Sequence, residues 1–216
     1  MGVRNPHVPL GIIDETGVEL PPNVEGNVAV LTSAVPRLPW MFDGYLQPSG
    51  ELIFPELVNA KTGQKWFITG DRALRDEDGY YWFIGRSDDV INTSGYRVGP
   101  FEIESCLKEH EGVVESAVVA SPDPQRAEII KAFIVLTEEY KLALAEAKDK
   151  EKATKDLAKN FENFVASNTA PYKKPREIEF VESLPKTISG KVRRVELRDM
   201  ERQRKSGIKR KIESKL

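Results

Sequence analysis

The pattern of apolar and turn-forming residues changes near Arg86, and this change constrains the fold more than any other feature of the sequence. Before Arg86, short apolar runs alternate with Gly, Pro, Asn and Asp, which is typical of strands joined by turns. The Asp78-Gly79 pair is a strong hairpin signal. Strands are predicted at residues 8–13, 27–31, 66–69 and 80–84. Residues 36–65, rich in Pro, Gly and Asn, are predicted to loop over the surface.

After Arg86, helical and strand patterns alternate. Pro100 is well placed as the first residue of a helix, and the β-branched runs that follow favour strands. Apolar residues recur at helical spacing further on and predict the core face of a packed helix; they are Leu157, Phe161, Phe164 and Val165. Helices are predicted at 100–108, around 157–165 and at 195–204, strands at 113–120, 129–137 and 178–181, and an exposed helix or loop at 138–155.

These patterns predict an α+β fold in three parts. Residues 1–87 form a partial, β-rich subdomain, residues 88–205 a small α/β domain, and residues 206–216 a basic tail. The first part has too few strands and too little helix for a complete enzyme core.

Composition excludes several classes of protein. Hydrophobic residues make up 40% and charged residues 31% of the 216 residues, as in a globular protein. No stretch approaches the ~20 apolar residues that a membrane helix needs. A single cysteine, Cys106, excludes an internal disulfide framework, and a net charge of −2 gives no general reason to expect nucleic-acid binding.

The last fifteen residues are strongly basic and end in Ser214-Lys215-Leu216. A basic run is most simply a solvated, flexible tail, with a nucleic-acid or membrane patch as the alternative. A C-terminal Ser-Lys-Leu is a receptor-read address for the peroxisome. The sequence therefore predicts a peroxisomal location and a peroxisomal import receptor as a partner.

Four short clusters follow one another in a fixed order. They are Trp66-Phe67-Ile68-Thr69-Gly70-Asp71, Gly85-Arg86-Ser87-Asp88-Asp89-Val90-Ile91, Ser94-Gly95-Tyr96-Arg97-Val98-Gly99-Pro100-Phe101-Glu102-Ile103-Glu104 and Leu184-Pro185-Lys186-Thr187-Ile188-Ser189-Gly190-Lys191. In this order and spacing they resemble the C-terminal motifs of the adenylate-forming superfamily, which includes acyl-CoA synthetases, luciferases and peptide-synthetase adenylation domains. The resemblance implies that residues 1–87 are the end of the large AMP-binding domain and residues 88–205 the C-terminal lid domain.

The sequences of the motifs are most similar to those of medium-chain acyl-CoA synthetases. Residues 86–97, 121–124 and 169–173 fit that branch. A luciferase or coumarate-ligase type of enzyme is the alternative within the superfamily, although such enzymes usually carry Lys where this chain has Asp88. The resemblance implies a ligase that uses ATP to activate a carboxylic acid and then transfers the acyl group to coenzyme A, releasing AMP and pyrophosphate.

The resemblance also implies roles for residues in the first two clusters. Asp71 corresponds to the carboxylate that accepts hydrogen bonds from the nucleotide ribose, and Arg86 to an arginine that also contacts the nucleotide. Asp88 corresponds to the hinge about which the lid domain rotates between the two half-reactions. Taken alone, Asp71 would be read as a turn residue and Arg86 as a surface ion pair.

The remaining clusters correspond to the thioester-forming loop and to the catalytic lysine. Ser94, Gly95, Tyr96 and Arg97 form that loop, in which the glycine lets the pantetheine arm of coenzyme A pass close to the backbone. Lys191 corresponds to the lysine that bridges the substrate carboxylate and the α-phosphate during adenylation. Glu102 and Glu104 are interpreted as support for the start of the helix, and Cys106, His7 and His110 as structural residues.

Several parts of the family's machinery are missing from the sequence. The Ser/Thr/Gly-rich phosphate loop, the adenine-stacking motif and an acyl pocket are not found, and no Cys/His cluster suggests a metal site. ATP or AMP, coenzyme A and Mg²⁺ are therefore implied by the resemblance alone. The chain is expected to be a truncated portion with little or no ligase activity of its own. The alternative is a stand-alone, non-catalytic lid module that binds a partner.

Overall fold

The computed structural model describes residues 2–34 and 41–213, which divide into two compact units, Met1–Asp88 and Asp89–Leu216. The first unit is built from strands and the second from strands and helices. The predicted α+β class is confirmed.

The described residues of the first unit form eight strands. They are β1 (Gly2–Val3), β2 (Leu10–Ile13), β3 (Gly26–Leu31), β4 (Tyr45–Leu46), β5 (Leu52–Ile53), β6 (Glu56–Val58), β7 (Lys65–Arg75) and β8 (Tyr80–Arg86). Six of them form an antiparallel sheet in the order β1-β8-β7-β3-β2, with β6 also paired to β7, while β4 and β5 form a separate hairpin. Three strands therefore lie where the sequence predicted surface loops, and that prediction is wrong for β4, β5 and β6; residues 36–40 of the same segment lie outside the described residues.

The core of the first unit lies on the two faces of its sheet. Ile12, Val28, Ala73 and Tyr81 pack together in one cluster. Ile13, Ala29 and Trp66 form another. Strand neighbours such as Ile12 and Ile13 fall into different clusters, as the alternation of side chains along a strand requires.

The second unit contains five strands and four helices. They are β9 (Ile91–Thr93), β10 (Tyr96–Val98), α1 (Pro100–Lys108), β11 (Val113–Asp123), β12 (Ala127–Leu136), α2 (Glu138–Glu146), α3 (Lys150–Asn168), β13 (Glu177–Phe180) and α4 (Arg194–Glu213). The sheet has the order β10-β9-β12-β11, and β13 runs parallel to β12 on its other side. Helix α4 continues well beyond the predicted end at Arg204, so the flexible tail expected from residue 206 is helical as far as Glu213.

Both faces of this second sheet are buried. One side of β11 and β12, which includes Val118 and Ile134, packs against α1 and α3, whereas the other side, with Val119 and Phe133, packs near α4 through Leu197. The predicted apolar face of α3 is confirmed, because all four of its residues belong to the first of these clusters. The continuous apolar runs of β11 and β12 follow from this burial on two sides.

Candidate functional site

Asp71 and Arg86 face each other across the β7–β8 pair. The Arg86 Nη1 atom lies 3.5 Å from Asp71 Oδ1, and both side chains remain partly exposed. Gly70, with φ +81°, makes this possible, because a Cβ atom there would lie 2.9 Å from Arg86 Nη2. The Arg86 side chain thus occupies the space in which any other residue at position 70 would place its Cβ atom.

Asp88 joins the same cluster. Its Oδ1 atom lies 3.6 Å from Arg86 Nε, and the backbone is held nearby by the bond that Ser87 N–H donates to the Gly70 carbonyl, at 2.8 Å. The structure therefore brings the two predicted nucleotide contacts and the predicted hinge residue together at the C-terminal end of β8, beside the middle of β7. Carboxylate oxygens beside a guanidinium can accept hydrogen bonds from a diol while the cation faces an anion.

Ser94 and Gly95 form the tip of the β9–β10 hairpin. Thr93 pairs with Tyr96, and the two residues between them have φ +50° and +85°, as a two-residue type I′ turn requires. Apart from its chain neighbours, no heavy atom of the described residues lies within 4 Å of the position that a Gly95 Cβ would occupy. The turn therefore presents backbone to open space, while Arg97 lies exposed on β10 opposite Asn92.

Tyr96 stacks on Tyr172, a contact that sequence reasoning did not find. The ring centroids are 4.3 Å apart and the planes are inclined by 10°. Lys173 Nζ lies 5.6 Å from the Tyr172 ring centroid and forms an ion pair with Glu102. Glu102 therefore anchors the segment beside the hairpin. The only signal in the sequence was the presence of Tyr172 and Lys173 in one of the strings that resemble the family.

Lys191 ends a tight, internally bonded loop. Thr187 N–H donates to the Lys191 carbonyl at 2.8 Å, Gly190 N–H donates to the Thr187 carbonyl at 2.9 Å, and Lys191 N–H donates to Thr187 Oγ1 at 3.1 Å. Gly190 has φ +82°, and Lys186 and Val192 bridge at the base of the loop. We call residues 187–191 the lysine loop.

Contacts at the base of the lysine loop fix its backbone, whereas the side chain of Lys191 extends from it. Lys186 Nζ contacts Glu115 Oε1 on β11 at 2.6 Å, and Arg193 N–H donates to the Pro185 carbonyl at 2.8 Å. Lys191 itself is exposed, and within residues 2–34 and 41–213 no carboxylate lies within 4 Å of its ammonium group. The loop thus presents an uncompensated cation on a fixed backbone.

His110, Cys106 and Glu104 make contacts that stabilise the fold. His110 lies against Phe161 and Phe164, with its Nδ1 accepting the Gly112 N–H at 3.0 Å. Cys106 is buried, and this burial raises the pKa of its thiol. Glu104 receives two hydrogen bonds from Arg194, so it joins α1 to α4 rather than supporting the start of α1 alone.

In the part of the chain that the structure describes, no three His, Cys, Asp or Glu residues lie together in a way that could hold a metal ion. None of the helices described is long and apolar enough to cross a membrane.

The comparisons with known proteins agree with these features. Residues 102–191, from within α1 to the end of the lysine loop, match the AMP-binding enzyme C-terminal domain. The matched segment contains the whole lysine loop and three strands of the sheet, β11, β12 and β13.

Among the relatives, rat acyl-coenzyme A synthetase ACSM3 is 49% identical over 202 residues, which are 93% of this chain and 32% of the relative. Mouse acyl-coenzyme A synthetase ACSM4 is 50% identical over 191 residues, or 88% of this chain and 30% of the relative. The predicted resemblance to the C-terminal part of an acyl-CoA synthetase is confirmed. The chain spans about a third of the length of the curated relatives it matches.

Solved structures show the same fold. The anthranilate CoA ligase AuaEII in complex with anthranoyl-AMP has a TM-score of 0.68 and 31% identity, covering 95% of this chain and 34% of that one. ATP-bound MatB from Rhodopseudomonas palustris has a TM-score of 0.65 and 30% identity, covering 93% of this chain and 35% of that one.

The prediction of a peroxisomal location is wrong. Both relatives are named as mitochondrial proteins, and no finding supports a peroxisomal import receptor as a partner. Ser214, Lys215 and Leu216, on which the prediction depended, lie outside the described residues.

Proposed function

We propose that this chain supplies the lid domain and the adjoining nucleotide-binding edge of an acyl-CoA synthetase. The reaction is the ATP-dependent activation of a carboxylic acid followed by acyl transfer to coenzyme A. The observation that carries the proposal is the lysine loop, which holds Lys191 at an exposed position without a carboxylate partner among the described residues. The likeness to acyl-coenzyme A synthetases over nine-tenths of the chain supports this reaction class.

Lys191 is proposed as the catalytic residue of adenylation. A carboxylate that attacks the α-phosphate brings two anions together, and a compact ammonium between them lowers their repulsion in the transition state. The hydrogen bonds between Thr187, Gly190 and Lys191 fix the backbone from which the ammonium extends. If Lys191 were paired with an acidic residue in the free protein, that pair would have to break before the ammonium could contact the substrate. An exposed ammonium without a carboxylate partner among the described residues therefore suits this role.

Asp71 and Arg86 are proposed to bind the nucleotide, and Asp88 to serve as the hinge. The Asp71 carboxylate, 31% exposed beside Arg86, can accept hydrogen bonds from the ribose hydroxyls, while the guanidinium faces the phosphates. The ATP-bound and adenylate-bound states of the similar solved structures support a nucleotide site in this fold. The boundary between the two compact units, at Asp88 and Asp89, supports a hinge there.

The turn formed by Ser94 and Gly95 is proposed to serve the thioester-forming step, together with Tyr96 and Arg97. The open space at Gly95 allows a thin chain such as pantetheine to pass along the backbone. From the resemblance of the motifs we further propose a medium-chain or aromatic carboxylic acid as the substrate, and from the names of the relatives a mitochondrial location. Mg²⁺ would accompany the nucleotide, and because the described residues hold no metal cluster, none of them is proposed as its ligand.

A chimera tests the proposal. This chain would replace the matched third of rat ACSM3, and adenylation would be measured by pyrophosphate exchange, with acyl transfer measured separately from a supplied acyl-adenylate. We expect Lys191→Ala to lower adenylation by about 10²–10³-fold, the usual cost of losing one transition-state contact, and to leave the transfer step largely intact. The chain by itself is expected to show little or no ligase activity.

Lys155→Ala is the matched control, because Lys155 is an exposed lysine of the same domain that pairs with Glu151 one helical turn away. It should leave both steps unchanged. Equal losses in both steps for Lys191→Ala would contradict the assignment of Lys191. A chimera that is folded but inactive in both steps, before any substitution, would favour the alternative of a non-catalytic module.

A further inference from the structure

Four charged side chains form a largely buried chain of ion pairs in the second unit. Arg198 Nη1 donates to Asp89 Oδ1, and Arg194 Nη1 lies 3.6 Å from Asp89 Oδ2. Arg194 also binds Glu104 through two bonds, from Nε at 3.0 Å and from Nη2 at 2.6 Å. We call Asp89, Glu104, Arg194 and Arg198 the Asp89 network.

Glu104 extends this network to the sheet. Its Oε1 atom accepts the backbone N–H of Val118 at 2.8 Å. Because β11 is an edge strand, alternate N–H groups point away from β12 and need another acceptor. The fully buried Val118 obtains that acceptor from α1, so the network joins the segment at residue 89, α1, β11 and α4.

Burial makes this arrangement costly unless every charge is paired. The side chains of Asp89, Glu104 and Arg198 are 11%, 12% and 9% exposed. Well-packed apolar residues often stabilise a fold as well as a buried ion pair does, so such a pair indicates a requirement for a particular arrangement. In the Asp89 network each charge faces an opposite one: Asp89 contacts Arg194 and Arg198, and Arg194 also contacts Glu104.

Two residues of the Asp89 network lie close in sequence to residues with proposed roles. Asp89 directly follows the proposed hinge residue Asp88, and Arg194 lies three residues after the proposed catalytic Lys191. We infer that the Asp89 network is a positioning device that holds the segment after the hinge and the root of the lysine loop in one rigid frame. A rotation at Asp88 would then carry Lys191 with it without a change in the loop. This inference deepens the proposed function and rests on it for the roles of Asp88 and Lys191.

Amide hydrogen exchange of the purified chain, followed by mass spectrometry, tests the coupling. Asp89→Asn removes the negative charge that Arg194 and Arg198 both contact. We expect exchange to become at least about tenfold faster both at residues 89–98 and at residues 187–193, a change that corresponds to about 1.4 kcal/mol of local opening. The centre of β12 should keep its wild-type protection, and Asp89→Glu should restore part of the protection at both segments.

Glu104→Gln removes the charge at the opposite end of the Asp89 network. It should speed amide exchange in the same two segments, and it provides the same test if the Asp89→Asn variant does not fold. Arg202→Gln, which removes an exposed ion pair with Asp199 on α4, is the control and should change neither segment.

Two outcomes would overturn the inference. Faster exchange at 89–98 with an unchanged lysine loop would show that the two segments are not coupled. A uniform increase across the second unit, β12 included, would show that the network contributes only general stability. Hydrogen exchange needs neither ATP nor coenzyme A, so a failed ligase assay beside a coupled exchange pattern would count against the proposed function alone, and an active chimera with uncoupled exchange against the network alone.

Discussion

Lys131→Met should destabilise the second unit without affecting the first. Lys131 lies on β12, and its ammonium is 2.8 Å from Glu201 Oε1 and 2.8 Å from Glu179 Oε2. The side chain of Lys131 is only 8% exposed and that of Glu201 1%. Burial alone would lower the pKa of Lys131, yet its hydrogen bonds with Glu179 and Glu201 outweigh burial and raise it. The substitution therefore removes a full positive charge from beside a buried carboxylate.

The contacts that remain set the size of the effect. Without Lys131, Glu201 keeps the Ser121 hydroxyl at 3.0 Å and Arg204 Nη1 at 3.2 Å. Breaking a buried pair usually costs about 3–5 kcal/mol, and since Arg204 still offers a positive charge, we expect the lower end, about 3 kcal/mol. For the second unit alone, residues 89–216, that corresponds to a fall of about 11 °C in the midpoint of thermal unfolding.

Two optical probes separate the units. All three tryptophans, at positions 40, 66 and 82, belong to the first unit, whereas α1–α4 belong to the second. Urea unfolding followed by far-ultraviolet circular dichroism therefore reports mainly the second unit, and tryptophan fluorescence reports the first. Lys131→Met should move the helical transition to lower urea and leave the fluorescence transition in place.

A double substitution identifies the cause. Replacing both partners, as Lys131→Met with Glu201→Leu, removes the buried charge pair and should recover at least half of the lost stability. Lys155→Met, at an exposed lysine, is the control and should have no effect. The reasoning is refuted if Lys131→Met costs less than about 1 kcal/mol, or if the double variant is no more stable than the single one.

Two further perturbations have defined outcomes. Gly70→Ala and Gly79→Ala both place a side chain at positive φ and should each cost about 1–2 kcal/mol in the fluorescence transition. Only Gly70→Ala also crowds Arg86, so it alone should raise the KM for ATP in the chimera, and an equal KM in both variants would contradict the role of Arg86. Burial alone would raise the pKa of Glu179, but hydrogen bonds from Lys131 and Arg204 outweigh it and hold that pKa below its ordinary value of 4.5. The stability contributed by Glu179 should therefore be complete above pH 4.5 and be lost as the pH falls through the lower pKa of the folded state. Urea midpoints measured by circular dichroism at a series of acidic pH values would show this loss. Lys131→Met should weaken the pH dependence.

The sequence predicts the regular elements where local signals agree with the fold. The Asp78-Gly79 turn identifies the β7–β8 hairpin, and the apolar spacing of α3 identifies its buried face. The prediction ended the first of these strands at Thr69, because Gly70 normally interrupts a strand. In the structure, β7 continues to Arg75, with a register shift between Arg72 and Ala73, since pairing with β3 and β8 outweighs the local preference.

The polar contacts of the candidate site could be predicted only in part. The resemblance of the motifs made Asp71, Arg86 and Lys191 candidates, but the stack of Tyr96 on Tyr172 joins residues that are far apart in the sequence. The same is true of Glu104 and Arg194, and of Lys131 and Glu201. A charged residue in a helix or strand gives no local indication of whether its partner lies in solvent or on a distant element, so Glu104 was interpreted as support for its own helix.

The buried face of α4 explains why this domain can hold the lysine loop so closely. Apolar Leu197 contributes to the core, but Arg198 and Glu201 on the same helix are also buried, each with an ionic partner on another element. An apolar face tolerates small rotations and slides of a helix, whereas a rotation by one residue, about 100°, would leave these charges buried and unpaired. The charges therefore fix both the rotation and the axial position of α4. Because α4 begins three residues after Lys191, a helix held in this way also fixes the point from which the lysine loop extends.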